Sequence, residues 1–197
     1  MTAATFGAFG KIPSVGDFFR INAPSGFAAV WDEWLQRCLV SGAHAYGSQW
    51  DELYMSVPIW RFSLSPGVAG AAGIIGVLMP SVDRVGRRFP LTLMLPLQDD
   101  VPVVQEHLNA KDVFEALEAI ALSVLDDDLS KDGLDEKLGT LEHTHTPDDV
   151  CCRTTPDSVI ACRASDPQEL MTGLTIVFLG ITFRAIPICN TLMDDDT

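Results

Sequence analysis

Basic residues are scarce in this 197-residue chain: 13 Lys and Arg stand against 27 Asp and Glu, a formal net charge of −14 at pH 7. Nucleic-acid binding needs a basic footprint to neutralise phosphates, so this balance argues against a nucleic-acid partner. Long apolar runs are also missing. The longest, about Leu174 to Ile181, falls well short of the ~20 residues that cross a bilayer, so no direct membrane insertion is expected. The opening stretch MTAATFGAFGK has no basic segment ahead of an apolar one, the arrangement a secretion signal would show. Five cysteines, an odd number without regular spacing, suit reduced thiols in a cytoplasmic protein better than a disulfide framework.

What is present is enough apolar material for a real core. Hydrophobic residues make up 47% of the chain and charged ones 20%, which excludes global disorder. The expectation is a single α/β domain over residues 1–180 followed by a frayed acidic tail over 181–197. The charge is unevenly spread. Residues 1–100 carry a net of −1 and residues 101–197 a net of −13. Such an acidic half repels anionic partners and attracts basic surfaces, or simply keeps the protein soluble.

Periodicity orders the elements. Thr5 to Phe9 predicts a strand running into a Gly/Pro/Ser turn at Gly10 to Gly16. SGFAAVWDEWLQRCLVSG predicts an amphipathic helix with Ser25 as N-cap and Phe27, Val30, Trp31, Trp34, Leu35 and Cys38 on one stripe. Strands are predicted over Met55–Gly67, Gly73–Asp83 and Arg87–Leu97. Pro90 implies an edge position or a bulge in the last, and Val85-Gly86 implies a hairpin. A helical period follows from Val103 to about Asp128, then a short exposed helix or loop with stops at Gly133 and Gly139. Val159 to Arg163 reads as a strand and Pro167 to Leu174 as a short helix. Strands first and helices after point to an α+β fold with a mostly antiparallel sheet flanked by helices.

Four constellations could carry chemistry. Gly10-Lys11 imitates the end of a phosphate-binding loop, but Thr5 stands where the first glycine belongs and Ile12 where a magnesium-binding hydroxyl belongs; a structural turn is preferred. Arg61 after Trp60, with Asp83, Arg84, Arg87 and Arg88 around a tight turn, places guanidinium forks that suit carboxylates or phosphates. Asp83 could instead pair with Arg84, Arg87 or Arg61 and lock the loop, so interface and internal brace both stay open. Ser81 with Asp83 could serve a hydrolase, although MPSVD lacks the G-x-S-x-G elbow. His143, His145, Cys151 and Cys152 offer nitrogen and sulfur for zinc, without Cys-x-x-Cys spacing.

Taken in order, FGKIPSVGDFFR, FAAVWDEWLQRCL, PIWRFSLSPGVAG and GVLMPSVDRVGRRFPLTL resemble the TagF/ImpM family of type VI secretion-associated proteins, over about residues 6–98. Val15, Arg88 and the absence of a tryptophan-rich segment late in the chain depart from the family's habits. The resemblance implies an α/β sandwich similar to longin-type domains. It also implies a non-enzymatic accessory protein, without a cofactor, that holds back apparatus assembly after translation. Cytoplasmic contacts would do this, among them contacts with a forkhead-associated scaffold protein. On that reading Lys11, Asp17 and Arg20 fix the Phe9–Arg20 loop or present it to a partner. Trp60, Arg61, Asp83, Arg84, Arg87 and Arg88 become contact candidates, since Trp and Arg often anchor interfaces. A hydrolase using Ser81 and Asp83 is the alternative.

Overall fold

The computed structural model describes residues 5–98, 101–126 and 129–144, together with the backbone of three strands at 150–155, 158–163 and 175–178. Its centre is a sheet of strands β1 (Gly7–Gly10), β2 (Phe19–Ile21), β3 (Trp60–Leu64), β4 (Ile74–Met79) and β5 (Leu91–Pro96). They lie in the order β2-β1-β5-β4-β3, and every neighbouring pair is antiparallel. Later strands are β6 (Val150–Thr155), β7 (Ser158–Arg163) and β8 (Thr175–Phe178). β8 joins the β3 edge in parallel, from Arg61↔Thr175 to Leu64↔Phe178, while β6 and β7 pair antiparallel in a separate ribbon.

Helices cover both faces, which is why β4 and β5 read as nearly continuous apolar runs instead of alternating ones. On one face Ile75, Val77, Leu91, Leu93 and Leu95 meet helix α4 (Lys111–Ser123) through Val113, Phe114, Leu117 and Ala121. On the other, Phe9, Phe62, Leu64, Ile74 and Met94 receive Phe27, Trp31 and Leu35, successive i,i+4 positions of helix α1 (Phe27–Tyr46). The Trp31 indole N–H donates to Thr92 Oγ1 on β5 at 2.9 Å, which pins the helix to the sheet where both residues are buried. This is the α+β sandwich with a mostly antiparallel sheet that the periodicity predicts.

Several boundaries differ from the sequence reading. Gly26, not Ser25, precedes α1, with φ 82° and no side-chain cap. Met55 and Ser56 close a helix, α2 (Trp50–Ser56), and the strand starts only at Trp60. Tyr54 gives this short helix its buried anchor, and Pro58, lacking an N–H, sits in the connection. The long helical stretch after Val103 breaks at Ala110 (φ −84°, ψ 36°) into α3 (Val103–Asn109) and α4, and α4 ends at Ser123. Pro90 lies just ahead of β5, which is a central strand and not an edge. The acidic stretch forms helix α5 (Lys131–Gly139): the Ser130 hydroxyl accepts from the Gly133 N–H, and Leu134 and Leu138 are buried. The helix expected over Pro167–Leu174 and the tail 181–197 lie outside the described residues. Among the described residues no helix is long and apolar enough to cross a membrane.

A laced corner at one end of the sheet

Strands β1 and β4 end on the same side of the sheet, so the loop after each meets the other there. Gly10 closes β1 with φ 134°, and a Cβ at that position would stand 2.2 Å from the Pro90 carbonyl oxygen. Glycine is needed because another backbone passes so close. The next residue, Lys11, is only 4% exposed. Its ammonium donates to Asp83 Oδ2 at 2.9 Å and lies 4.5 Å from the centre of the Phe18 ring. The Gly-Lys pair that imitates a phosphate loop is therefore a close approach followed by an internal ion pair.

Asp83 is the hub of the second loop, and its side chain is fully buried. Oδ1 accepts the N–H groups of Val85 (3.1 Å) and Arg87 (2.8 Å), while Oδ2 accepts Lys11 Nζ and Arg87 Nε (2.6 Å). Burial alone would raise this carboxyl's pKa; the Lys11 ammonium, the Arg87 backbone and guanidinium donors and the Val85 N–H outweigh burial and hold it well below the usual carboxylate range. The Val85-Gly86 hairpin is present: Gly86 N–H donates to Asp83 O at 2.8 Å, and Val82 bridges to Arg88.

The two loops are stitched twice more. Arg87 Nη2 donates to Gly16 O at 2.6 Å, and Arg84 N–H donates to Val15 O at 3.1 Å. Helix α2 backs the corner. Tyr54 OH donates to Ser81 O (2.9 Å) and accepts from Ser81 N–H (3.0 Å), and burial pushes this phenol up to about 12. Asp51 takes the guanidinium of Arg88 at 2.5 Å.

The predicted residues divide accordingly. Lys11, Asp83, Arg87 and Arg88 are tied to protein groups in this corner. Asp17 accepts from the Phe18 N–H at 2.8 Å. Arg84 and Arg20 are exposed and, among the described residues, form no ion pair. Arg61 does not join them, nor does it pair with Asp83. From β3 it forks onto Glu118 of α4 (Nε to Oε1 2.6 Å, Nη2 to Oε2 3.0 Å) and lies over Phe114 at 5.3 Å. Trp60 packs on the α1 face, its indole N–H buried without a hydrogen bond among the described residues.

Of the residues proposed for a hydrolase or a zinc site, Ser81, Asp83 and His143 are among those described. Ser81 Oγ is buried and makes no hydrogen bond there, so it has no base in reach. A serine–histidine contact does exist elsewhere, between Ser63 Oγ on β3 and His107 Nδ1 on α3, but both residues are buried under the sheet. Burial, with the Arg61 charge second, pulls this imidazole down to about 4. His143 Nε2 lies 2.7 Å from Glu106 Oε1. His145 and the side chains of Cys151 and Cys152 lie outside the described residues, and no His/Cys/Asp/Glu cluster suited to a metal occurs among those described.

The profile of the TagF N-terminal domain, type VI secretion system-associated, matches residues 7–141. This chain belongs to that family. The matched span takes in β1 through α5 and hence the whole laced corner. Among solved structures, PA0076 from Pseudomonas aeruginosa PAO1 is similar, with 29% identity and a TM-score of 0.67 over 84% of this chain and 74% of that one. No curated protein sequence matches the chain. For a TagF N-terminal domain the sequence reading did not count Phe18 or Val85 among the contact candidates. Phe18 and Val85 are 46% and 69% exposed. Phe18-Phe19 entering a strand is the available signal for the first, since alternation must send one of the two outward.

Proposed function

We propose that this protein is a cytoplasmic accessory factor of the type VI secretion system that restrains apparatus assembly after translation, by binding protein components and not by catalysis. The carrying observation is the family match over residues 7–141. Three facts support contact over chemistry. Lys11, Asp83, Arg87 and Arg88 are held by protein groups, and among the described residues the Ser63–His107 pair is buried and Ser81 has no base within reach. Such bracing gives a rigid surface, which lowers the ordering cost of binding a partner. A forkhead-associated scaffold protein is the first partner to test.

The test is genetic and quantitative. Overproduction in the native host should reduce the number of assembled contractile structures seen by fluorescence and the apparatus protein released to the medium; deletion should raise both. Unchanged assembly in both strains would remove the regulator reading. Turnover of a generic ester or phosphomonoester by the purified protein, lost in Ser81→Ala, would replace it with the hydrolase reading.

A further inference from the structure

The laced corner separates cations that hold the fold from cations that are available. Lys11, Arg87 and Arg88 spend their charge on Asp83 and Asp51, and Arg61 spends its own on Glu118. Arg84 does not. Its backbone is held by Val15 O, its guanidinium rests against Gly16 (3.3 Å from where a Cβ would stand), and it forms no ion pair among the described residues. Arg20 of β2 is likewise exposed, two positions after Phe18 in the chain and opposite Phe9 of β1. Each arginine has an exposed apolar residue close by in the chain, Phe18 two positions before Arg20 and Val85 directly after Arg84. Val85 follows Arg84 at the hairpin tip. The Phe18 ring is fixed edge-on to Phe89 at 4.7 Å and stacked with Phe9 at 6.5 Å.

We infer that Phe18, Arg20, Arg84 and Val85 form the docking surface for an acidic segment of a partner protein, one that carries an apolar side chain beside its carboxylates. This rests on the protein-contact reading above and specifies the partner's chemistry. The arginine fork matches a carboxylate bidentately. The aromatic ring, already held by its neighbours, and the valine supply apolar contact at little ordering cost. A nucleic acid fits less well: its run of phosphates needs a broad basic footprint, whereas the two guanidiniums here match only the one or two carboxylates of a short segment.

The experiment selects phage-displayed random peptides on the immobilised full chain and measures the enriched sequences as synthetic peptides. The surface predicts a consensus of Asp or Glu next to a large apolar residue, with affinity falling as NaCl rises from about 50 to 500 mM. Arg84→Glu should weaken binding about tenfold or more, and Phe18→Ser or Val85→Asp should also weaken it. Arg37→Glu, an equal charge change on α1, should leave it unchanged. Absence of a consensus, equal binding by Arg84→Glu, or displacement of the peptides by single-stranded DNA at matching charge concentration would each overturn the proposal. Two further results keep its failure apart from that of the regulator reading. Capture of apparatus proteins from host lysate equally by wild type and Arg84→Glu rejects this surface and leaves the regulator reading standing. Peptide binding as expected, with secretion indifferent to overproduction, does the reverse.

Discussion

Lys11 Nζ and Asp83 Oδ2 meet at 2.9 Å across 72 positions of sequence, with both side chains buried. This contact joins the loop after β1 to the loop after β4. Around it Arg87, Gly16, Arg84 and Val15 add the remaining stitches. The consequence is a corner whose backbone is set before any partner arrives.

Removing one member should therefore cost more than the pair is worth. Lys11→Met leaves Asp83 with Arg87 and two backbone donors, and Asp83→Asn leaves Lys11 buried without a countercharge. Breaking a buried pair this way is expected to lower the thermal midpoint by about 10 °C in a chain of this size. The double variant Lys11→Met/Asp83→Asn should lose less than the sum, as circular dichroism melts would show; strict additivity would mean that the two groups are not coupled.

The same carboxylate gives an acid limb with a definite sign. Its folded pKa is depressed, so its contribution is complete above the unfolded carboxyl value of about 4 and disappears as pH falls through the lower folded value. Wild type should lose stability to urea steadily below about pH 4. Asp83→Asn should show a shallower fall over that window, and an unchanged slope would assign the acid limb to other carboxylates.

Gly10 separates steric need from conformational need. Alanine there meets the Pro90 carbonyl at 2.2 Å in addition to a φ of 134°, whereas Gly47, at φ 53°, has nothing within 4 Å. Gly10→Ala should cost roughly 3 kcal/mol or more and Gly47→Ala only about 1 kcal/mol, read from urea unfolding midpoints. Equal costs would mean that the β1 end can retreat from Pro90.

Trp31→Phe tests the pin between α1 and the sheet. It removes the 2.9 Å bond to Thr92 and leaves a buried hydroxyl orphaned next to a small void. A loss of about 2–3 kcal/mol is expected, and adding Thr92→Val should return part of it by removing the orphan. No recovery would assign the whole effect to packing.

The elements that sequence made legible are those whose burial repeats. β4 and β5 are apolar on both faces, and the 27, 31, 35 stripe of α1 needs only the helical period. What stayed hidden depends on single contacts. α2 is one buried Tyr54 on Ser81, seven residues ending shortly before a proline. α5 has just two buried leucines among charges. The break at Ala110 carries no glycine or proline to announce it. For the corner, the residue types were visible: glycine, lysine, aspartate and arginines at a turn. Their partners were not. A lysine has no local mark that it will be buried, and nothing near Arg61 says that it will choose Glu118 on a helix 57 positions away over Asp83.

His107 offers the clearest pH experiment away from the corner. Burial disfavours its charged form, and the folded imidazole titrates near 4 against about 6.5 unfolded. Above about pH 6.5 the ring is neutral in both states and contributes no slope. Between about 6.5 and 4 only the unfolded chain takes up the proton, so stability falls as pH drops; below about 4 both states are charged and the slope vanishes. His107→Gln can still meet Ser63 through its amide, and it should flatten the thermal midpoint across pH 6.5 to 4 while lowering it modestly at pH 7. If the variant keeps the wild-type slope, the proton that destabilises the fold enters elsewhere.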